Sequence, residues 1–208
     1  MAIIRRGILG GFSGKVANVV GSSWKGIAVM RALPLSVNNP RTAGQVVQRS
    51  AFSTTAKFAS SILTQWIKPL WDRTAQQMSG YNAFIQQNVD IVKNDGKLDI
   101  QNLIMSHGKL GENHGVFASV DDGDVSLSWN PSPAGSYQMS TDKMFAILVS
   151  EDGTLLGSSQ GIKERSEGSM TLEHTNNQEY SGDAYVVCAF ARHDGTMVSF
   201  SDTFKVVV

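Results

Sequence analysis

Apolar positions change period along this chain. Over residues 14–33 two β-rich stretches, Gly14-Lys-Val-Ala-Asn-Val-Val20 and Trp24–Ala32, flank the turn-forming cluster Gly21-Ser22-Ser23. That pattern predicts a β-hairpin. Alternation would put Lys25, Ile27, Val29 and Arg31 on one face and Trp24, Ala28 and Met30 on the other. Neither face is cleanly polar. Ahead of the hairpin, Gly7, Gly10, Gly11 and Gly14 predict an irregular arm.

From Pro34 the period lengthens. Phe52, Ala56, Ala59, Leu63 and Trp66 recur at spacings of four and three, an apolar helical stripe. Its start reads in two ways. Asn39 caps with Pro40 at the first helical position, or Thr42 caps and Gln45 completes a capping box. Pro69 ends or kinks the helix. Trp71, Ala75 and Met78 outline another apolar face, and Gly80 breaks it before a last segment, Tyr81–Asn88. The expectation is a helical hairpin over about residues 41–88.

From residue 98 the period is two. Strands are predicted at Leu98–Ser106, Val116–Val120, Val125–Trp129, Met144–Ser150, Thr154–Ser159, Ser169–His174, Ala184–Arg192 and Val198–Val207. Turn chemistry separates them, notably Asp121-Asp122-Gly123, Pro131-Ser132-Pro133, Asp152-Gly153, Asn176-Asn177 and Asp194-Gly195. Short strands so spaced read as an antiparallel sandwich. The fold class is therefore α+β: an N-terminal β-hairpin plus helical hairpin, then a C-terminal antiparallel β-sandwich. Residues 1–97 form a basic assembly region with a glycine-rich arm, the hairpin and two to three helices, and residues 98–208 an acidic β-sandwich.

Charge sharpens this division. The 208 residues carry 18 Lys/Arg and 18 Asp/Glu, a formal net charge of zero. Residues 1–90 hold ten of the Lys/Arg and only two acids, Asp72 and Asp90, a net of +8, which leaves −8 beyond them. Unlike halves point to polyanion binding by one of them or to pairing between them. The acidic half would repel nucleic acid, so a protein partner is the favoured reading, with a weak nucleic-acid contact through residues 1–90 left open. Aromatic residues do not interleave with these cations, so base stacking is not indicated.

Candidate chemistry is sparse. Gly10-Gly-Phe-Ser-Gly14-Lys15 lacks two positions of a phosphate loop, having Leu9 where glycine and Val16 where a hydroxyl is needed. His107, Glu112 and His114 sit in a glycine-broken stretch without helical spacing for metal ligands. Asp121, Asp122 and Asp124 lack the ligand ladder of a calcium loop. Cys188, the single cysteine, has apolar neighbours and no activating base, and one cysteine forms no intramolecular disulfide. The expectation is no enzyme, no catalytic residue, no cofactor and no metal. No apolar run reaches membrane-spanning length, so no membrane partner is expected, and the short apolar stretch after Arg5 and Arg6 does not make a secretory leader.

Two resemblances extend the picture. Val125-Ser-Leu-Ser-Trp129, Tyr185-Val-Val-Cys-Ala189-Phe-Ala191 and Ser199-Phe-Ser-Asp-Thr203 make residues 115–208 resemble a fibronectin type III or immunoglobulin-like module. The resemblance implies that Trp129 and Tyr185 pack the two sheets together. Gly14-Lys-Val-Ala-Asn-Val-Val-Gly21, Trp24-Lys-Gly26, Arg31, Asn39-Pro-Arg-Thr42, Gln45 and Arg49-x-x-Phe52 resemble an uncharacterised family of proteins of similar length from Bacteroidota genomes. Asn-Pro-Arg-Thr-x-x-Gln, a tryptophan-bearing helix and Tyr81-Asn82-Ala83-Phe84 look like segments of phage and prophage proteins. Ala17 departs from the pattern, where glycine is expected.

That resemblance implies a non-enzymatic structural protein of a virion, assembled in the host cytoplasm. Its partners would be other virion structural proteins and copies of itself. A tail or connector ring component is favoured over a head decoration protein, since unlike patches packed head to tail close into rings. The rival is a surface module whose sandwich binds a glycan or protein, for which Tyr137 and Tyr180 are the loop tyrosines. Trp24, Lys25, Arg31, Arg41 and Arg49 are the expected interface residues, tryptophan and arginine being common interface anchors.

Overall fold

The computed structural model describes residues 3–4, 11–36, 39–92, 97–113, 115–121, 124–172 and 182–207. Helices and several antiparallel sheets make it an α+β protein. The first sheet is an antiparallel meander of β1 (Ile3–Ile4), β2 (Phe12–Val16), β3 (Val19–Trp24) and β4 (Ile27–Ala32). Its turns differ from the expected one. Gly21-Ser22-Ser23 lies inside β3, and the chain reverses at Ala17-Asn18 and at Lys25-Gly26. Gly21 is at home in a strand because Phe12 covers it. A Cβ there would meet the Phe12 carbonyl oxygen at 2.3 Å. Ala17, at φ 47°, occupies the left-handed region that a glycine adopts without strain. Lys25 (φ 46°) and Gly26 (φ 85°) are both left-handed, the geometry of a tight hairpin turn that matches strand twist.

Helix α1 (Ala43–Ser61) follows, then a π-helical turn (Leu63–Ile67), α2 (Lys68–Trp71) and α3 (Gly80–Asn88). Thr42 holds the N-cap position of α1 but its side chain makes no capping bond, so the box with Gln45 does not form. Asn39 instead accepts a bond from Arg49 Nη2 at 2.6 Å. The helix does not stop at Pro69. The wider turn before it lets the chain pass the ring, with the Ile67 amide donating five residues back to Ile62 at 3.2 Å. Gly80 opens α3 rather than breaking it, and the Ser79 hydroxyl caps it by accepting from the Asn82 amide at 3.3 Å. Phe52, expected in the buried stripe, is exposed; burial begins at Thr55.

Two further sheets form a sandwich. One has the order β5 (Phe117–Asp121), β6 (Asp124–Ser128), β9 (Ser169–Leu172). The other has the order β11 (Asp202–Val207), β10 (Asp183–Ala191), β7 (Lys143–Ser150), β8 (Leu155–Glu164). The chain switches sheets after β6, β8 and β9, which is an immunoglobulin-like Greek-key arrangement. Val125, Leu127, Trp129, Met170 and Leu172 of one sheet meet Met144, Ala146, Leu148, Val186, Cys188 and Phe190 of the other.

The larger sheet is covered on both faces. Its second face carries Ile147, Val149, Val187 and Ala189, which share a core with Phe58, Ile62, Trp66, Ile67 and Phe84 of the helical layer. Burial on both sides explains the unbroken apolar runs of β7 and β10. Tyr185 is on this helical face, half-buried, and not between the sheets as expected. Two-residue periodicity assigns the inter-sheet side of β10 to Ala184, Val186, Cys188 and Phe190. Trp129 does sit between the sheets, donating from Nε1 to the Arg165 carbonyl at 2.8 Å.

The strand expected at Leu98–Ser106 is not one. After a bridge between Leu98 and Val92 and a short 3-10 turn (Ile100–Asn102), residues 103–106 run extended but pair with no ladder. Side chains satisfy them instead. Asn88 accepts from the Ile104 amide at 2.8 Å and donates to its carbonyl at 3.0 Å. Ser106 donates from Oγ to the Ser199 carbonyl at 3.0 Å and from its amide to Ser201 Oγ at 3.2 Å. Of the strand expected at 198–207, Asp202–Val207 pairs with β10 as a ladder, while Val198 makes only an isolated bridge to Ala191. β8 runs on to Glu164, beyond the expected end at Ser159, and the expected residues 173–174 of β9 lie outside the described residues.

Candidate assembly interface

The register of the first sheet defines its faces. Gly14 pairs with Gly21 and Gly21 with Met30, which places them on one face with Phe12, Val19, Ala28 and Ala32. Trp24 pairs with Ile27, Ser22 with Val29, and Val20 with both Lys15 and Arg31. Trp24 therefore lies with Ile27, Val29 and Arg31, not with Ala28 and Met30 as alternation through an unbroken strand would have it. A two-residue turn makes the residues flanking it partners on the same side. Lys25 is at the tip of that turn and not on this face; its ammonium donates to the Met78 carbonyl of the helical layer.

This face is an apolar strip with two cations at one end. Trp24 is 57% exposed, Ile27 40% and Val29 45%, with Lys15 and Arg31 exposed beside them. The opposite face is no better covered, since Met30 is 69% exposed. Of the residues described in β2–β4 only Gly21 is buried. A sheet of this kind is a marginal structure alone, because no layer takes its apolar side chains out of water. The first half of α1 repeats the pattern. Val46, Val47 and Phe52 are exposed there, as are Arg41 and Arg49.

The five expected interface residues thus fall into two groups. Trp24 and Arg31 share one face of the first sheet, with Lys25 at its tip. Arg41 and Arg49 flank the start of α1, where Arg49 is tied to Asn39. Missed by the sequence reading are Val46 and Val47, which sit outside the stripe that marks the buried side of α1.

Other candidate groups are dispersed. Phe12–Val16 of the glycine-rich segment is strand, not a phosphate-cradling loop. His107 packs edge-on against the Phe200 ring at 5.0 Å, and the Glu112 carbonyl accepts from Gln138 Nε2 at 2.9 Å. His114 and Asp122 lie outside the described residues. Among the described residues no cluster of three or more His, Cys, Asp or Glu gathers to hold a metal. Burial, reinforced by the charge of Asp202, pushes the Cys188 thiol far up, so it stays protonated.

The sequence reading also missed a buried ion pair. Arg165 Nε lies 3.5 Å from Asp142 Oδ2, both side chains being inaccessible, and the guanidinium carbon sits 3.7 Å from the centroid of Phe190. Asp142 Oδ2 also accepts from the Met139 amide at 2.8 Å. Burial pushes the Arg165 pKa down, and Asp142 opposes that shift. The pair pins the loop before β7 to the turn after β8. The signal was absent because an Arg among Lys and Glu residues reads as a solvated face.

Fold and site together define an α+β protein: an immunoglobulin-like sandwich, backed by helices, that carries a small sheet with uncovered apolar faces. The chain belongs to DUF6266, a family of unknown function, whose match spans residues 11–204. No curated protein matches it. Among solved structures it is similar in part to the Clostridium perfringens spore cortex lytic enzyme SleM, at 6% identity and a TM-score of 0.30, over 47% of this chain and 28% of that one. A likeness that low carries no argument. Among the described residues no helix is long and apolar enough to cross a membrane.

Proposed function

We propose that the chain is a non-enzymatic structural subunit of a phage or prophage-derived particle, assembling through its N-terminal sheet and the start of α1. The observation that carries this reading is the strip of Trp24, Ile27 and Val29, exposed on a sheet that no layer covers among the described residues. Copies of the chain and other virion proteins are the partners that would cover it. Arg31, Arg41 and Arg49 border the exposed apolar surfaces, and the acidic half of a neighbouring copy supplies opposite charge. A contact between such unlike patches is head to tail and closes into a ring, which favours a tail or connector position.

The test is light scattering on the full chain at low and high salt, beside the triple variant Trp24→Ser, Ile27→Thr, Val29→Thr. These side chains are exposed, so the variant keeps its fold. A closed oligomer that weakens with salt and falls to monomer in the variant is expected. A wild-type monomer at every concentration would overturn self-assembly. A truncation at residue 97 is the wrong tool, because it strips the helical layer from Ile147, Val149, Val187 and Ala189.

A further inference from the structure

At one end of the central sheet, where the helical layer meets it, a cleft of about 440 Å³ opens. That volume falls in the range of small-molecule sites, about 300–1,000 Å³. Lys68 and Arg73 line it from the helical side, Lys143 and Arg192 from the ends of β7 and β10. Asp194 is the one carboxylate among the lining residues. None of the four cations makes an ion pair among the described residues. Asp194 is turned to Thr196, accepting from its amide at 2.8 Å and its hydroxyl at 2.7 Å. Glu164, opposite Lys143 in the ladder, makes no ion pair with it either.

Carbonyl oxygens rather than ion pairs hold the two guanidinium groups in place, and the Asp194 carboxylate reaches Arg192 only through longer-range attraction. Arg73 Nη1 donates to the Asp194 carbonyl, and the group lies so close over Gly195 that a Cβ there would meet it at 3.0 Å. Arg192 Nη2 donates to the Tyr137 carbonyl at 2.6 Å, while its buried Nε has no partner. Two pre-positioned arginines and two unpaired lysines, against one committed carboxylate, focus positive potential in a concavity. Two of these cations, moreover, come from the half of the chain with a net charge of −8.

We propose that this cleft binds a multivalent phosphate-type anion. A single carboxylate would leave most of the charge uncompensated. A group with several phosphoryl oxygens can accept from both guanidinium forks and both ammonium groups at once. The inference is independent of the assembly reading, since no residue of the cleft belongs to the first sheet.

The experiment is calorimetric titration of the full chain with sodium tripolyphosphate at fixed ionic strength. It is repeated on the double variant Lys68→Gln, Lys143→Gln, and on Lys57→Gln, Lys109→Gln, which changes net charge equally but lies elsewhere. The lysines of the cleft are unpaired, so their replacement spares the fold. Saturable binding in the wild type and the control, weakened about tenfold or more in the cleft variant, is expected. Equal weakening in both variants, or no saturable binding, overturns the proposal. So does citrate binding as tightly as tripolyphosphate. A short single-stranded oligonucleotide that competes with tripolyphosphate supports the site with a nucleic-acid strand as the phosphate source. Its failure to compete, with tripolyphosphate bound, supports a free phosphate compound.

Discussion

Trp66 and Trp71 donate their indole N–H groups to one oxygen, the Met105 carbonyl, at 2.8 and 2.7 Å. Five residues on an α-helix point well apart, since each turn takes 3.6. Trp66 belongs to the π-helical turn over Leu63–Ile67 and Trp71 to α2 after it, so the winding changes between the two and both rings reach one side. Met105 is in the segment that pairs with no ladder, so these bonds replace strand pairing for a buried carbonyl. Trp66→Phe or Trp71→Phe alone leaves one donor in place and costs about 1–2 kcal/mol. The double variant strands the carbonyl and loses about 1–2 kcal/mol more than the sum of the two. Urea unfolding of the four proteins measures this, and additive losses would refute the shared-acceptor account.

Asp142 and Arg165 give an asymmetric prediction. Asp142→Asn removes the countercharge of a buried guanidinium and destabilises the protein by about 3–5 kcal/mol. Arg165→Met keeps the volume over Phe190 and abolishes the buried cation, so its loss is smaller. Chemical denaturation ranks the two. Equal losses would mean that packing against Phe190, not charge pairing, sets the cost.

Ala17 stands where the backbone favours glycine. Ala17→Gly relieves a left-handed residue and stabilises the first sheet by about 1 kcal/mol, whereas Gly26→Ala, at φ 85°, weakens it despite open space around the position. Amide hydrogen exchange over residues 12–32 is the measurement. Slower exchange in the first variant and faster in the second is expected, with the exchange of β7 and β10 unchanged in both.

Acid should loosen the β7–β8 turn. The Ser150 hydroxyl first and the Thr154 amide second hold the Asp152 carboxyl below its ordinary 3.8. A depressed carboxylate stabilises fully above the unfolded value, and that contribution is lost as pH falls below 3.8 through the folded value. Ser150→Ala removes the largest cause, so an NMR titration should return the Asp152 midpoint toward 3.8. A midpoint unmoved by that substitution would dismiss the hydroxyl as the cause.

Cys188 is a reporter of global opening. Its side chain is wholly buried between the sheets, so a thiol reagent should label it at the unfolding rate and no faster. Rapid labelling of the native chain would contradict the sandwich core. Cys188→Ser places a hydroxyl there and costs about 1–3 kcal/mol.

How much of this was legible varies with burial. β5, β6 and β9 alternate because one face meets water, and that alternation makes them legible as strands. β7 and β10 are legible as strands, but their unbroken apolar runs hide which side each residue takes, and the place that the immunoglobulin-like resemblance implies for Tyr185, between the sheets, is not the one it holds. Residues 98–106 alternate as a strand does, yet Asn88, Trp66 and Trp71 act in place of a neighbouring strand, and no local pattern announces distant side-chain partners. In the first sheet, Gly21-Ser22-Ser23 has turn composition, but Phe12 packs on Gly21 and keeps it in line. Trp24 and Arg31 stand out by residue type, but strict alternation sets them on opposite faces, and only the two-residue turn at Lys25-Gly26 brings them to one. The cationic cleft was illegible, since its members lie between positions 68 and 192 and meet only through the packing of helices on the sheet.

The helices that back the central sheet also decide what is left for a visitor. The broad side of β10 and β7 is roofed by the chain's own Phe58, Trp66 and Phe84, leaving no vacancy there for a foreign strand or ring. The other broad side, over β5, β6 and β9, is mostly hydroxyls, with Ser126 and Thr171 only 3.4 Å apart and Ser128 and Ser169 paired beside them, and one apolar side chain, Phe117 opposite Ser128, stands 69% exposed among them. Water is the natural tenant of such a surface. That side of the sandwich is therefore largely hydrated, and the apolar surface it does offer is confined to Phe117 on its β5 edge.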